Sequence, residues 1–114
     1  MILSPGEKLH VITRRQFEAD LRRHFVGETE AVAESAVRLN GYAFIFDATR
    51  NEYSKRPELR TKIVALGDSA NVITLIPKEV DLSALRYEIS ASKRLVVTDG
   101  RAFSLDINEF GVGR

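Results

Sequence analysis

Two histidines, His10 and His24, are the side chains of this sequence best suited to act as an acid or base near neutral pH. Neither has a second candidate ligand or nucleophile beside it in the sequence, so a catalytic or metal-binding role would need partners brought together by the fold. His10 lies in a run typical of a strand, where a structural role is the simpler interpretation. His24 directly follows two arginines, and we expect it at the surface.

No catalytic or nucleotide-binding motif accompanies these histidines. The sequence contains no phosphate-binding GxxxxGK loop, no GxGxxG, no HExxH, no EF-hand loop and no GxSxG elbow. It also contains no cysteine, which excludes disulfides, thiolate metal sites and a cysteine nucleophile. We therefore expect a protein that is not an enzyme and that needs no cofactor.

Three carboxylates near the C-terminus are the remaining candidates for a metal site. Asp99, Asp106 and Glu109 offer the oxygen ligands that Ca²⁺ prefers, but their spacing fits no known binding loop. Asp99 precedes Gly100 between two strand-like runs, which is typical of a type I′ hairpin turn with positive φ at both residues. A structural role is thus favoured for Asp99, and no metal site is predicted.

Two groups of basic residues are the strongest functional signal. Residues 1–26 hold five bases against three acids, and residues 50–62 hold five against two, whereas the whole chain has a net charge of only +1. We expect these segments to form the contact surface for a partner. The candidate residues are Arg14, Arg15, Arg22, Arg23, His24, Arg50, Lys55, Arg56, Arg60 and Lys62.

The partner of this surface is left open between two classes. A protein is favoured, because the guanidinium group of arginine pairs well with carboxylates. A nucleic acid is the alternative, in which Tyr53 or Phe17 would stack on bases. Local ion pairs are the simplest explanation of the same charges, since four acids lie within these stretches: Glu18, Asp20, Glu52 and Glu58.

A stripe of aromatic residues, Tyr42, Phe44 and Phe46, suggests a third function. If the strands closed into a barrel, these side chains would line an interior able to hold a small apolar ligand. Packing in an ordinary core is the simpler interpretation of the same pattern.

Short runs rich in β-branched and aromatic residues predict most of the secondary structure. Gly41 interrupts the longest of them and predicts a bulge or a bend there. The predicted strands cover residues 9–13, 25–33, 36–46, 60–66, 71–76, 86–90, 94–98 and 101–107. Those over residues 60–66 and 71–76 are expected to pair with each other, and residues 47–57, which include Tyr53, are predicted to be a polar connection. Helical turns are predicted within residues 14–23 and 78–85, where apolar residues recur at helical spacing.

These elements predict a mainly β domain. The expected fold is a small antiparallel barrel or sandwich of about seven or eight short strands with one or two short helices, in a single domain over residues 1–114. A hydrophobic content of 44% with 29% charged residues is typical of a folded globular protein. No run approaches the roughly 20 apolar residues of a membrane span, and no secretory signal is recognisable. We expect a cytoplasmic binding module without a membrane partner.

Overall fold

A computed structural model describes residues 2–15, 17, 22–68 and 70–107 of the chain. Contacts divide the chain into two compact units, Met1–Lys78 and Glu79–Arg114, which are described in turn. The expectation of a single domain stays a prediction. The strands are β1 Lys8–Thr13, β2 Arg23–Val32, β3 Ala36–Asp47, β4 Glu52–Lys55, β5 Arg60–Ala65, β6 Asn71–Ile76, β7 Arg86–Ile89, β8 Leu95–Thr98 and β9 Ser104–Asp106.

The first unit is one antiparallel sheet in the order β4-β3-β2-β1-β6. The long strand β3 has two partners on one side, because β5 pairs with its first half and β4 with its second half. The predicted mainly β, antiparallel class is confirmed. No ladder joins β6 to β4 or β5 among the described residues, so the expected closed barrel is not found.

The expected pairing of β5 with β6 is wrong. β5 pairs with β3, and β6 pairs with β1, so the two strands form the opposite edges of one sheet. Only their ends approach, where the Asn71 side-chain Nδ2 donates to the Ala65 carbonyl at 3.0 Å. The connection is long enough for each strand to find a separate partner, and strand order has no local signal in the sequence.

Gly41 marks a close approach of two backbones instead of a bulge. It pairs with Gly27 of β2, and a Cβ atom at residue 41 would lie 1.8 Å from the Val26 carbonyl oxygen. The register shift of this ladder lies elsewhere, between Thr29 and Ala31. The glycine pair therefore allows β2 and β3 to cross closely at their centre.

One face of this sheet carries the apolar cluster of the first unit. Alternate residues of β1, β2, β3 and β5 point to this face, as strand geometry requires. Its buried members are Leu3, Leu9, Val11, Phe25, Val37, Leu39 and Val64. We call this side the apolar face. The opposite side carries His10, His24, Val26 and Phe44, which are also buried.

The second unit contains a three-stranded antiparallel sheet in the order β7-β8-β9. The expected type I′ turn at Asp99-Gly100 is wrong: Gly100 has a φ of +77°, but Asp99 is not among the described residues with positive φ. Residues 99–103 form a wider loop, because the Asp99 carboxylate accepts the N–H groups of Arg101 at 2.8 Å and Phe103 at 3.2 Å.

The described residues contain no α-helix. The expected helical turns of residues 78–85 are reduced to a 3₁₀ turn at Leu82–Ala84, in which the Asp81 carboxylate accepts the Ser83 N–H. The other predicted helix, within residues 14–23, falls mainly on residues outside the described ones.

Candidate functional site

The two basic segments meet at one end of the first unit's sheet. The register places Thr13 of β1 opposite Arg23 of β2, Arg23 opposite Ile45 of β3, and Ile45 opposite Ser54 of β4. Arg14 and Arg15 follow directly after β1, and Arg22 precedes β2. Antiparallel pairing therefore gathers bases that are far apart in the sequence, as the contact-surface hypothesis requires.

The remaining predicted contact residues lie at the end of β4, in the turn between β3 and β4, and on β5. Lys55 ends β4 and Arg56 follows it, with the Arg56 N–H donating to the Ala43 carbonyl at 2.8 Å. Arg50 lies in the turn between β3 and β4. Arg60 and Lys62 lie on β5, opposite Gly41 and Leu39, further along β3.

Several of these bases are already paired with local groups. Arg50 Nε lies 3.3 Å from Glu52 Oε1, and Arg60 forms an ion pair with Glu58. The Lys55 ammonium lies over the Tyr42 ring, 4.6 Å from its centroid. The expected local ion pairs thus occur at Glu52 and Glu58, whereas Glu18 and Asp20 lie outside the described residues.

Arg23 and Lys62 differ from those bases, and we call them the basic patch. Within the described part of the chain, neither forms an ion pair with a carboxylate. Lys62 lies on the apolar face with its ammonium 5.6 Å from the centroid of the buried Phe25 ring. The basic patch is therefore a group of cations without a counter-charge among the described residues.

The environment of Lys62 is unfavourable for its positive charge. Its pKa is lowered, first because partial burial disfavours the charged ammonium and second because of the positive charge of Arg23. A carboxylate placed between Lys62 and Arg23 would offset the repulsion between their charges and favour the charged form of Lys62. The patch can therefore accept an anion without first breaking an ion pair inside the protein.

The expected surface position of His24 is wrong. Its side chain is only 2% exposed, and its ring stacks on Tyr53 with centroids 4.7 Å apart. The Tyr53 hydroxyl lies 3.4 Å from His24 Nε2. His10 is also buried and meets His24 edge-on at 5.6 Å between centroids. His24 is therefore part of the buried packing on one side of the sheet and is not exposed for contact with a partner.

Tyr53 lies on a strand that the sequence pattern did not predict. It was expected in a polar connection, but it lies on β4 and packs against both His24 and Phe46, 5.3 Å away between ring centroids. The pairing of Tyr53 with Phe46 across β3 and β4 explains this contact. An alternation of Tyr53 with polar neighbours was the signal available in the sequence.

The side chains of the aromatic stripe take part in packing on the first unit's sheet. Phe44 is buried, and Phe46 packs against Tyr53 on the face opposite the apolar one. An open cavity of about 720 Å³ lies in a different part of the first unit. Its walls are Ile2, Leu3, Val32, Ala33, Glu34, Leu66, Ile73 and Leu75.

The acidic candidates near the C-terminus have structural partners. Asp99 caps its own loop, and Asp106 Oδ2 accepts a hydrogen bond from Arg94 at 2.8 Å. Glu109 lies outside the described residues. Among the described residues, no group of three or more His, Asp or Glu is arranged to hold a metal ion. In the same part of the chain, no helix has the length and apolar character needed to cross a membrane.

Comparisons of the chain with protein families, with curated proteins and with solved structures give no match.

Proposed function

We propose that the chain is a non-enzymatic binding module that docks an acidic segment of a protein partner on the basic patch, Arg23 and Lys62. The observation that carries the proposal is that neither base has a carboxylate partner among the described residues, while the Lys62 ammonium lies 5.6 Å from the centroid of the Phe25 ring, two residues along β2 from Arg23. Like charges in such an arrangement repel, and an incoming carboxylate relieves that repulsion.

The contrast with other arginines of the first unit supports this proposal. Arg38 lies 3.6 Å from Glu30, Arg50 lies 3.3 Å from Glu52, and Arg60 pairs with Glu58. These bases have nearby acids along the chain or across a strand pair. The basic patch has none among the described residues, so its charges are available for an external anion.

A protein partner is favoured over a nucleic acid because of the aromatic residues. Binding of single-stranded nucleic acid without sequence preference relies on aromatic side chains that bases can stack upon. Of the two candidates for this role, Tyr53 is already stacked on His24, which leaves the exposed Phe17 instead of a row of aromatic rings. The absence of cysteine fits a cytoplasmic location, which belongs to the same proposal.

The test compares a patch variant with a matched control. The patch variant is Arg23→Glu/Lys62→Gln, and the control is Arg38→Glu/Arg50→Glu, which changes two exposed arginines that are paired locally. Fluorescence anisotropy measures binding of a labelled oligoglutamate peptide and of a labelled single-stranded RNA. Circular dichroism melts confirm that each variant is folded.

We expect the natural protein and the control to bind the acidic peptide, and the patch variant to lose affinity by about tenfold or more. Binding should weaken moderately between about 50 mM and about 300 mM salt. Tighter binding of RNA with a steep dependence on salt would instead identify a nucleic-acid-binding protein. Equal affinity of patch variant and control, or no binding of either probe, would overturn the proposal.

A further inference from the structure

β6 is an edge strand whose outer main-chain groups are unpaired. The Arg14 N–H donates to the Ala70 carbonyl at 2.7 Å, one step beyond the Thr13–Asn71 pair. Bonded and non-bonded pairs alternate along an antiparallel ladder, so Ile73 and Leu75 direct their N–H and C=O groups away from β1. Within the described residues, these groups have no hydrogen-bond partner.

The edge formed by β6 also lacks the features that normally prevent strand pairing. Its sequence, NVITLI, contains no charged residue and no proline, and its ladder with β1 has no bulge. Natural edge strands are usually protected by such features. The opposite edge, β5, carries two charged residues within the strand, Arg60 and Lys62.

The side chains of β6 extend an apolar surface up to this open edge. Ile73 and Leu75 point to the apolar face and line the cavity of about 720 Å³ together with Leu3 and Val32. Leu75 is 55% exposed, and Val72 on the other face of the strand is 37% exposed. A strand added beside β6 would therefore cover exposed apolar side chains as well as satisfy main-chain groups.

We propose that β6 pairs with β6 of a second copy of this chain, which extends the sheet across a twofold axis. An antiparallel pairing centred on Thr74 places Ile73 opposite the partner's Leu75, and Leu75 opposite the partner's Ile73. Each of these two pairs exchanges two main-chain hydrogen bonds. The twofold axis makes the interface self-complementary, as in most soluble dimers.

The chemistry of β6 identifies a second copy as the occupant. The strand offers only apolar side chains, Thr74 and Asn71, so two copies bring no charge into the interface. The apolar side chains of both copies would lie side by side over the joined cavities. A net charge of +1 for the whole chain adds little repulsion between two copies.

The experiment measures molar mass by sedimentation equilibrium at concentrations from about 100 µM down to about 1 µM, since a dimer dissociates on dilution. Two variants of the exposed Leu75 test the edge. Leu75→Pro removes an N–H group that the ladder with β1 does not use, and Leu75→Lys adds a charge of the kind that protects natural edges. Ile63→Lys is the matched control, because Ile63 is 66% exposed on the opposite edge strand β5.

We expect the natural protein and Ile63→Lys to approach twice the chain mass of 12.8 kDa at high concentration. Both Leu75 variants should remain at the mass of one chain with an unchanged far-UV spectrum. If Leu75→Pro does not fold, the folded Leu75→Lys variant alone decides. A natural protein that is monomeric throughout, a folded Leu75→Lys dimer, or a control that dissociates would each overturn the proposal. None of these changes touches the basic patch, so the two proposals fail independently.

Discussion

The centre of the β2–β3 ladder and the loop between β8 and β9 both depend on glycine, but for different physical reasons. At Gly41 a side chain is excluded by space, because a Cβ atom would lie 1.8 Å from the Val26 carbonyl oxygen. At Gly100 it is disfavoured by a φ of +77°, and the nearest atoms belong to the flexible Arg86 guanidinium. Backbone cannot move aside without breaking a ladder, whereas a torsion penalty and a mobile side chain can be tolerated.

The largest effect is expected for Gly41→Ala. The added methyl group must separate β2 from β3 at the centre of the sheet, and we expect a loss of about 3 kcal/mol or more in the free energy of unfolding. Urea denaturation followed by circular dichroism measures this loss. Hydrogen exchange should show faster exchange in β2 and β3.

Gly67→Ala provides the control for this prediction. A Cβ atom at residue 67 would have no neighbour within 4 Å, and the residue does not have a positive φ. We expect a change within about 0.5 kcal/mol for this exposed position. Similar losses for residues 41 and 67 would show that space at the β2–β3 crossing is not the cause.

A smaller effect is expected for Gly100→Val. A β-branched residue at positive φ is strained, which should lower the free energy of unfolding by about 1 to 2 kcal/mol. Gly100→Asn should be milder, because asparagine tolerates this conformation better. Faster hydrogen exchange in β8 and β9 would locate the loss, whereas equal stability of the two variants would exclude a torsional cause.

The sequence predicted strands well where apolar and polar residues alternate over many positions, as in β3, and where a compact apolar run stands between turns, as in β6. It missed β4 because four residues between turn-forming stretches carry little local signal. Strand order also escaped it, since β6 finds its partner in β1, more than fifty residues earlier in the chain. Such pairings depend on the whole sheet and not on neighbouring residues.

The residues of the candidate site were predicted from the sequence only in part. The basic residues were identified by their density in two segments, and the structure brings several of them to one end of the sheet. The burial of His24 was not predictable, because Tyr53 of the unrecognised strand β4 packs against it. Which bases keep a carboxylate partner also depends on contacts across strands, as the Arg38–Glu30 pair between β3 and β2 shows.

The smallest effect is expected beside the β2–β3 crossing, at Lys62, where no glycine is changed. Lys62→Met keeps an unbranched chain over Phe25 and removes the charge that burial and Arg23 disfavour. The folded protein lowers the pKa of Lys62 below its ordinary value of 10.5, so at neutral pH the charged form weakens the folded state. We therefore expect Lys62→Met to raise the urea midpoint at about pH 7.

The sign of this effect predicts its dependence on pH. Between the lowered pKa and 10.5 the unfolded chain binds more protons at residue 62 than the folded one, so the natural protein gains stability relative to the variant as the pH rises. The difference between the urea midpoints of Lys62→Met and the natural protein should thus shrink from about pH 7 to about pH 10. All other titrating groups are common to both proteins, so the difference reports on Lys62. Arg23→Gln, which removes the second cause of the shift, should reduce the difference at neutral pH. A difference that grows with pH would show that Lys62 stabilises the fold through its charge, and the apparent strain between the two cations of the patch would then be absent.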